Sequence, residues 1–381
     1  MMSSRSSDKS KGYLPRLHGA WIAWRNTMLS SPRFQQFATR FWLTRPVARV
    51  RARALFDLVA GFVYSQTLAA CVETGVLDLL ARGPTRIESV ADHCGLPPDG
   101  ALRLLRAAAA IRLVERVGAD WALGSAGAAL RGNAGIAEMI AHHPLLYADL
   151  ADPVALLRRG GGGGALARYW TYAEQPGNGA AEDVRAYSGL MAASQPLVAT
   201  QILQSYRFAR HRRMLDVGGG EGRFLEAVAA AVPALDLGLF DLPAVAARAQ
   251  ERLAVAGLGA RTMVHAGSFL HDPLPHGYDM ITLVRVLHDH DDGPALTLLR
   301  AIHAALPRGG RVLIAEPMAQ TPGAEPSGDA YFGLYLLAMG SGRPRTPTEI
   351  GAMLRAAGFG AVRTLPTPMP LTCRVIVARH D

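Results

Sequence analysis

Met214-Leu215-Asp216-Val217-Gly218-Gly219-Gly220-Glu221-Gly222-Arg223-Phe224 is an apolar run that enters a glycine-only turn and leaves it in a helical pattern. Glycines let a backbone turn sharply and approach a ligand closely, and the N–H groups opening the next helix can hold an anionic group. The stretch therefore reads as a buried strand, a nucleotide or nucleoside cradle, and a helix. A dinucleotide fingerprint would place its third glycine where this chain has Arg223, and no Gly-Lys-Ser or Gly-Lys-Thr follows to make a P-loop. What remains is Asp-x-Gly-x-Gly-x-Gly, made by Asp216, Gly218, Gly220 and Gly222 around Gly219, with a second acid, Asp241, closing the next apolar run.

Outward from this turn, apolar segments at 214–217, 235–240, 262–265, 278–284, 312–315 and 373–378 alternate with helical patterns. That alternation predicts an α/β fold with a Rossmann-like, doubly wound sheet that binds ligands at the carboxyl ends of its strands. Upstream, residues 55–80 are apolar at helical spacing and predict a buried helix for a core or subunit interface. Thr85-Arg86-Ile87-Glu88 has capping-box form before a short helix, 99–111 make a second helix, and 113–117 with 121–123 form a hairpin. Helix, turn, helix, hairpin is a winged-helix pattern. A DNA-reading role fits it poorly, because the second helix offers only Arg103 and Arg106 and the wing turn has no Lys or Arg. Residues 132–213 read as helical, interrupted by a flexible glycine turn at 160–164.

The chain has 381 residues, enough for two cores, and half of them are apolar. Its cysteines, Cys71, Cys94 and Cys373, match neither a disulfide framework nor a zinc spacing, which points to a reducing, cytoplasmic compartment. No uncharged apolar stretch of membrane-spanning length stands out. The net charge of +9 is concentrated at the start: residues 1–53 carry eleven Lys or Arg against Asp8 alone, and the remainder is close to neutral. With Trp21, Trp24, Phe34, Phe37, Phe41 and Trp42 interleaved, this leader suits an anionic membrane surface, would also suit nucleic acid, or remains a solvated arm.

The glycine turn, its lead-in Asp216 and the following Asp241 resemble motif I of the class I S-adenosylmethionine-dependent methyltransferases. A winged helix ahead of it is similar to the small-molecule O-methyltransferases of plants and bacteria. The resemblance implies three parts: a basic aromatic segment over 1–53, a mainly α winged-helix dimerisation and lid domain over 54–190, and a methyltransferase domain over 191–381. It implies S-adenosyl-L-methionine as cofactor, held by Asp216, Gly218, Gly219, Gly220, Gly222, Asp241, Leu242, Ser268, Phe269 and Arg285. No metal is required, and His288-Asp289-His290-Asp291-Asp292 lacks the histidine that a binuclear motif would place at Gly293. In Leu287-His288-Asp289 the family carries its general base, which maps to His288 with Asp289 following, and Glu316 would orient the ring. The chain departs from the pattern at Ser268, where relatives have aspartate, at His290, where many have tryptophan, and at Pro344, where plant relatives have a second orienting glutamate.

Tyr172, Tyr187, Met191, Phe332, Tyr335 and Met339 fall in segments that line the acceptor pocket of relatives, and imply an apolar acceptor. Passages such as 56–66, 138–158, 187–195, 286–292 and 334–346 resemble the carotenoid-methylating branch in phototrophic bacteria. That branch implies a tertiary hydroxyl on a long polyene as acceptor, a homodimer, and peripheral contact with the photosynthetic membrane. Phenolic, polyketide and tetrapyrrole methyltransferases share the fold and remain alternatives.

Overall fold

A computed structural model describes residues 10–174 and 194–381, with side chains from His18 onward except Ala134 and residues 170–174. The leader is helical: α1 (Ser10–Ser30), α2 (Pro32–Arg40) and α3 (Arg45–Glu73). Ser31 caps α2 by accepting from the Phe34 N–H, and Pro32 supplies the preset first turn. The predicted buried helix is not buried within the chain. Leu58 is 81% exposed and Phe62 72%, with Leu55, Phe56 and Val59 alongside, while only Thr67 and Cys71 near the C-terminal end of α3 are buried. By length and composition α3 is also apolar enough to cross a membrane, although Asp57 and Glu73 leave it no charge-free stretch of that length.

After α3 come α4 (Val76–Leu80), α5 (Ile87–Cys94), α6 (Pro98–Ala110), the hairpin β1 (Val114–Val117) and β2 (Asp120–Leu123), and α7 (Ser125–Arg131). Cys71, Val76, Leu80, Val90, Leu105, Leu113 and Trp121 close one core, which confirms the winged-helix pattern. The expected capping box at Thr85 is absent. Arg86 is the cap position and makes no side-chain bond, because the Thr85 backbone pairs with Trp121 and draws the helix entry onto the wing.

Next, α8 (Ala134–Asp149), α9 (Pro153–Arg158) and α10 (Ala165–Glu174) stack on the catalytic domain through Leu146, Leu156 and Leu166. The glycine run between α9 and α10 is not a loose turn. Gly161 and Gly162 take positive φ of 102° and 61°, and the Gly162 N–H donates to the Leu337 carbonyl at 2.9 Å. A Cβ on Gly161 would strike that carbonyl and one on Gly164 would strike the Asp149 carboxylate, which caps α10 through the Ala165 and Leu166 N–H groups. Glycine is there for close approach between two backbones.

Helix α11 occupies 194–205. The sheet then forms from β3 (Arg213–Val217), β4 (Asp236–Asp241), β5 (Thr262–Ala266), β6 (Met280–Val284), β7 (Arg311–Glu316), β8 (Gly360–Leu365) and β9 (Arg374–Arg379). Their order is β5-β4-β3-β6-β7-β9-β8, with β9 antiparallel to both neighbours and the others parallel. Helices α12 (Arg223–Ala231), α13 (Pro243–Val255), α14 (Asp292–Ala305), α15 (Gly333–Met339) and α16 (Pro347–Ala356) complete the domain, and a π-helical turn at Pro326–Phe332 leads into α15. β6 is buried at every position, as a strand covered on both faces must be. Its chain reversal between β3 and β4 on one side and β6 on the other places the glycine turn at the topological switch point.

Candidate active site

The turn after β3 is built for close contact. Gly218 and Gly222 sit at φ of 69° and 82°, and a Cβ would stand 2.7 Å from Val286 at the first and 3.0 Å from Leu253 at the second. Around Gly220 there is open space. Asp241 faces this turn: one carboxylate oxygen accepts from the Gly220 N–H and the other from the Leu242 N–H, both at 2.7 Å. Those bonds fix the carboxylate while each oxygen keeps further lone pairs for a ligand. Burial pushes its pKa up to about 6, against the pull of the two N–H donors and Arg248.

Asp216 lies at the carboxyl end of β3, 1% exposed. Thr282 on β6 donates its hydroxyl to Oδ1 at 2.6 Å, and Oδ2 has no partner. Burial raises this carboxyl to about 7. A buried acceptor without a donor is costly in a finished core, so it marks a place where a ligand or water completes the site. An adenosyl donor with an amino acid tail fits these residues: open space at Gly220, a fixed carboxylate for vicinal hydroxyls, and an unfilled acceptor behind the turn.

Other cofactor candidates are placed differently. The Ser268 hydroxyl accepts from Leu270 N–H within its own loop, and its N–H donates to Asp272. Phe269 packs edge-on to His290, ring centroids 5.1 Å apart, which gives His290 a packing partner. Arg285, at a left-handed φ of 57°, donates to the Ser194 hydroxyl and the Gln195 side-chain oxygen at 2.8 Å each. It thereby ties α11 to the end of β6.

His288 stands on a short 3-10 turn, Leu287–Asp289, just beyond β6, and is 3% exposed. Its Nε2 lies 3.2 Å from the Asp289 carboxylate and its Nδ1 has no partner. Burial, followed by the charges of Arg285, Arg345 and His290, pushes the imidazole pKa down to about 3. The approach to Asp289 is therefore made by a neutral ring rather than as an ion pair, and Nδ1 faces no partner.

Glu316 does not hold the ring as the resemblance implied. Its Oε2 accepts from the His288 backbone N–H at 3.0 Å, Oε1 is unpartnered, and burial raises its pKa to about 7. The carboxylate at the end of β7 orients the turn, and Asp289 reaches the ring.

Of the acceptor candidates, Phe332 is beside the base, its ring centroid 5.7 Å from that of His288. Tyr335 and Met339 are buried in the cluster that joins α8, α9 and α10 to α15. Tyr172 lies in α10, but its side chain, like Tyr187 and Met191, is outside the described residues. The sequence reading missed two contacts between the helical layer and this wall: His143 Nε2 to the Tyr331 hydroxyl at 2.9 Å, and His142 Nε2 to the Tyr335 hydroxyl at 3.0 Å. Arg345, the bulkiest fully buried side chain among the described residues, also went unmarked in the sequence. Paired histidines beside a proline and a lone arginine before a capping threonine carry no pattern that would have marked them. Among the described residues no cluster of His, Cys, Asp and Glu could hold a metal.

Fold and site together define an α/β methyltransferase whose catalytic domain is preceded by a winged helix. The comparisons agree. An O-methyltransferase domain matches residues 147–360 and an O-methyltransferase dimerisation domain matches residues 56–129. The chain is 43% identical to the demethylspheroidene O-methyltransferase of Cereibacter sphaeroides, over 92% of this chain and 93% of that one. It is 44% identical to the protein of the same description from Rhodobacter capsulatus, over 92% and 88%. The crystal structure of LaPhzM superposes with a TM-score of 0.73 at 28% identity, covering 86% of this chain and 98% of that one. The chain belongs to the S-adenosylmethionine-dependent O-methyltransferases. It carries the dimerisation domain of that family, and the exposed apolar face of α3 from Phe56 onward lies inside it.

Proposed function

We propose that this enzyme methylates a hydroxyl at the end of a long apolar polyene of the demethylspheroidene or hydroxyneurosporene type, with His288 as general base. The observation that carries this reading is the 43–44% identity to the two demethylspheroidene O-methyltransferases, sustained over 92% of the chain. S-adenosylmethionine supplies an activated methyl group on sulfur, so the protein has to align the acceptor and remove its proton.

Asp241 would accept the ribose hydroxyls, with the Gly218–Gly222 turn against the amino acid end of the donor. His288 would take the acceptor proton at the unpartnered Nδ1, with Asp289 holding Nε2. A tertiary alcohol is a poor acid, so a neutral, desolvated imidazole that takes the proton as the carbon–oxygen bond forms suits it better than prior ionisation. Phe332 offers apolar surface next to the imidazole. Incubation of the enzyme with labelled S-adenosylmethionine and a panel of hydroxylated carotenoids and phenols tests the assignment. Label is expected in the carotenoids, and transfer to phenols alone would overturn it.

Such an acceptor partitions into membranes, and the leader supports peripheral contact through residues 1–53. Trp21, Trp24, Phe37 and Trp42 are more than half exposed, among Arg25, Arg33, Arg40, Arg45, Arg49, Arg51 and Arg53. Aromatic rings enter the headgroup region while cations meet anionic lipid, each basic residue adding about 1 kcal/mol near the surface. Deletion of residues 1–42 is expected to weaken binding to phosphatidylserine-containing liposomes by at least about tenfold and leave the catalytic domain folded. Co-sedimentation that does not change would make the leader a solvated arm.

A further inference from the structure

Arg345 is 0% exposed, and its guanidinium reaches one carboxylate and two backbone carbonyls. Nε and Nη2 donate to Asp292 Oδ1 at 2.9 and 2.7 Å, Nη1 to the Leu287 carbonyl at 2.9 Å, and Nη2 also to the His290 carbonyl at 2.7 Å. Leu287 and His290 bracket the turn that presents His288. The same short segment grips that turn again: the Arg343 N–H donates to the His288 carbonyl at 2.9 Å and the Ser341 hydroxyl to the Asp289 carbonyl at 2.9 Å. At Gly342, with φ of 76°, a Cβ would strike the His288 carbonyl, so the strap lies directly on the turn.

We propose that Arg345 is a positioning residue for methyl transfer, its planar fork locking the 287–290 turn so that His288 meets the acceptor in one orientation. This rests on the reading of His288 as the base. A buried charge is tolerated only when its donors are satisfied, and arginine's rigid fork can satisfy several acceptors in one plane, which a lysine cannot. Pro344 stands immediately before this arginine, and the fork holds the turn through backbone carbonyls rather than through the imidazole. The groups around the ring are Asp289, Glu316, Arg285, His290 and Arg345, and the last adds a cation that favours the neutral imidazole.

The test uses the full-length chain with Arg345→Lys, Arg345→Met and Asp292→Asn, the last at a side chain that is 61% exposed. Turnover of the carotenoid acceptor, S-adenosylmethionine affinity by calorimetry, and the His288 imidazole signals by nitrogen-15 NMR are measured on each. Arg345→Lys is expected to lower kcat about 100-fold and Asp292→Asn about tenfold, with cofactor affinity nearly constant. The His288 titration should move upward in Arg345→Met and stay low in Arg345→Lys, which keeps the cation. Full kcat in a folded Arg345→Lys overturns the proposal. If the wild type turns over no carotenoid, the function reading fails separately, and His288 nitrogen-15 chemical shifts at fixed pH that are unchanged in Arg345→Lys and Asp292→Asn would still overturn the positioning role.

Discussion

Turnover by the His288→Ala variant is expected to fall by about 10²- to 10⁴-fold, the range that a positioned general base contributes, while affinity for S-adenosylmethionine stays close to that of the wild type. The ring lies beyond the glycine turn on its own 3-10 segment, so its removal leaves Asp216, Asp241 and their backbone partners in place. A variant that retains full turnover would sink the assignment of the base. The pH profile makes a second check. A base works in its unprotonated form, and burial with the charges of Arg285, Arg345 and His290 holds this pKa near 3. At saturating cofactor, kcat should therefore stay flat as the pH is lowered through about 6.5, where an ordinary imidazole would protonate.

The second large effect is expected at the cofactor. Asp241→Asn should weaken S-adenosylmethionine binding by about 10²- to 10³-fold, since bonds to a charged acceptor are each worth about 1.5–3 kcal/mol. The amide cannot replace the carboxylate silently. Both carboxylate oxygens already face backbone donors at 2.7 Å, from Gly220 and Leu242, so an NH₂ group in either place sets donor against donor. Calorimetry on the variant measures it, and a wild-type affinity would remove Asp241 from the site. The same residue sets an acid limit. Its pKa is raised to about 6, so the charged form prevails above that value and is lost as the pH falls through it. KM for S-adenosylmethionine should rise on acidification through about pH 6 while kcat holds, which separates the cofactor limb from the base.

The glycine turn was legible because its constraints are local. Positive φ at Gly218 and Gly222 and the bulk of Val286 and Leu253 against them leave glycine as the fitting residue, and that requirement is written in the chain as spacing. Six of the seven strands of the sheet were legible from their apolar residues: five are mostly buried, and β5, at the edge opposite β8, is partly exposed but carries Met263 and Val264. β8 was missed because it is an edge strand with a polar, partly exposed pattern, and it exists by pairing with β9. Thr85 looked like a cap because its neighbours have cap chemistry, but pairing with Trp121 claimed its backbone. The glycine run at 160–164 looked slack because composition does not reveal what lies against it, here the carbonyl of Leu337 and the carboxylate of Asp149.

By itself the sequence determined the α/β class, the winged helix ahead of it, the glycine turn with Asp216 and Asp241, and the histidine after β6, since each depends on residues close together along the chain. Only the tertiary structure decided which carboxylate touches the imidazole and which holds its backbone. Asp289 is adjacent to His288 in sequence, yet Glu316 lies 28 positions on and Arg345 another 29, and their roles arise where β7 and the strap after α15 converge on one turn. The burial that keeps the His288 imidazole neutral and leaves α3 with an uncovered apolar face is likewise a sum over distant neighbours, which no local pattern of side chains encodes.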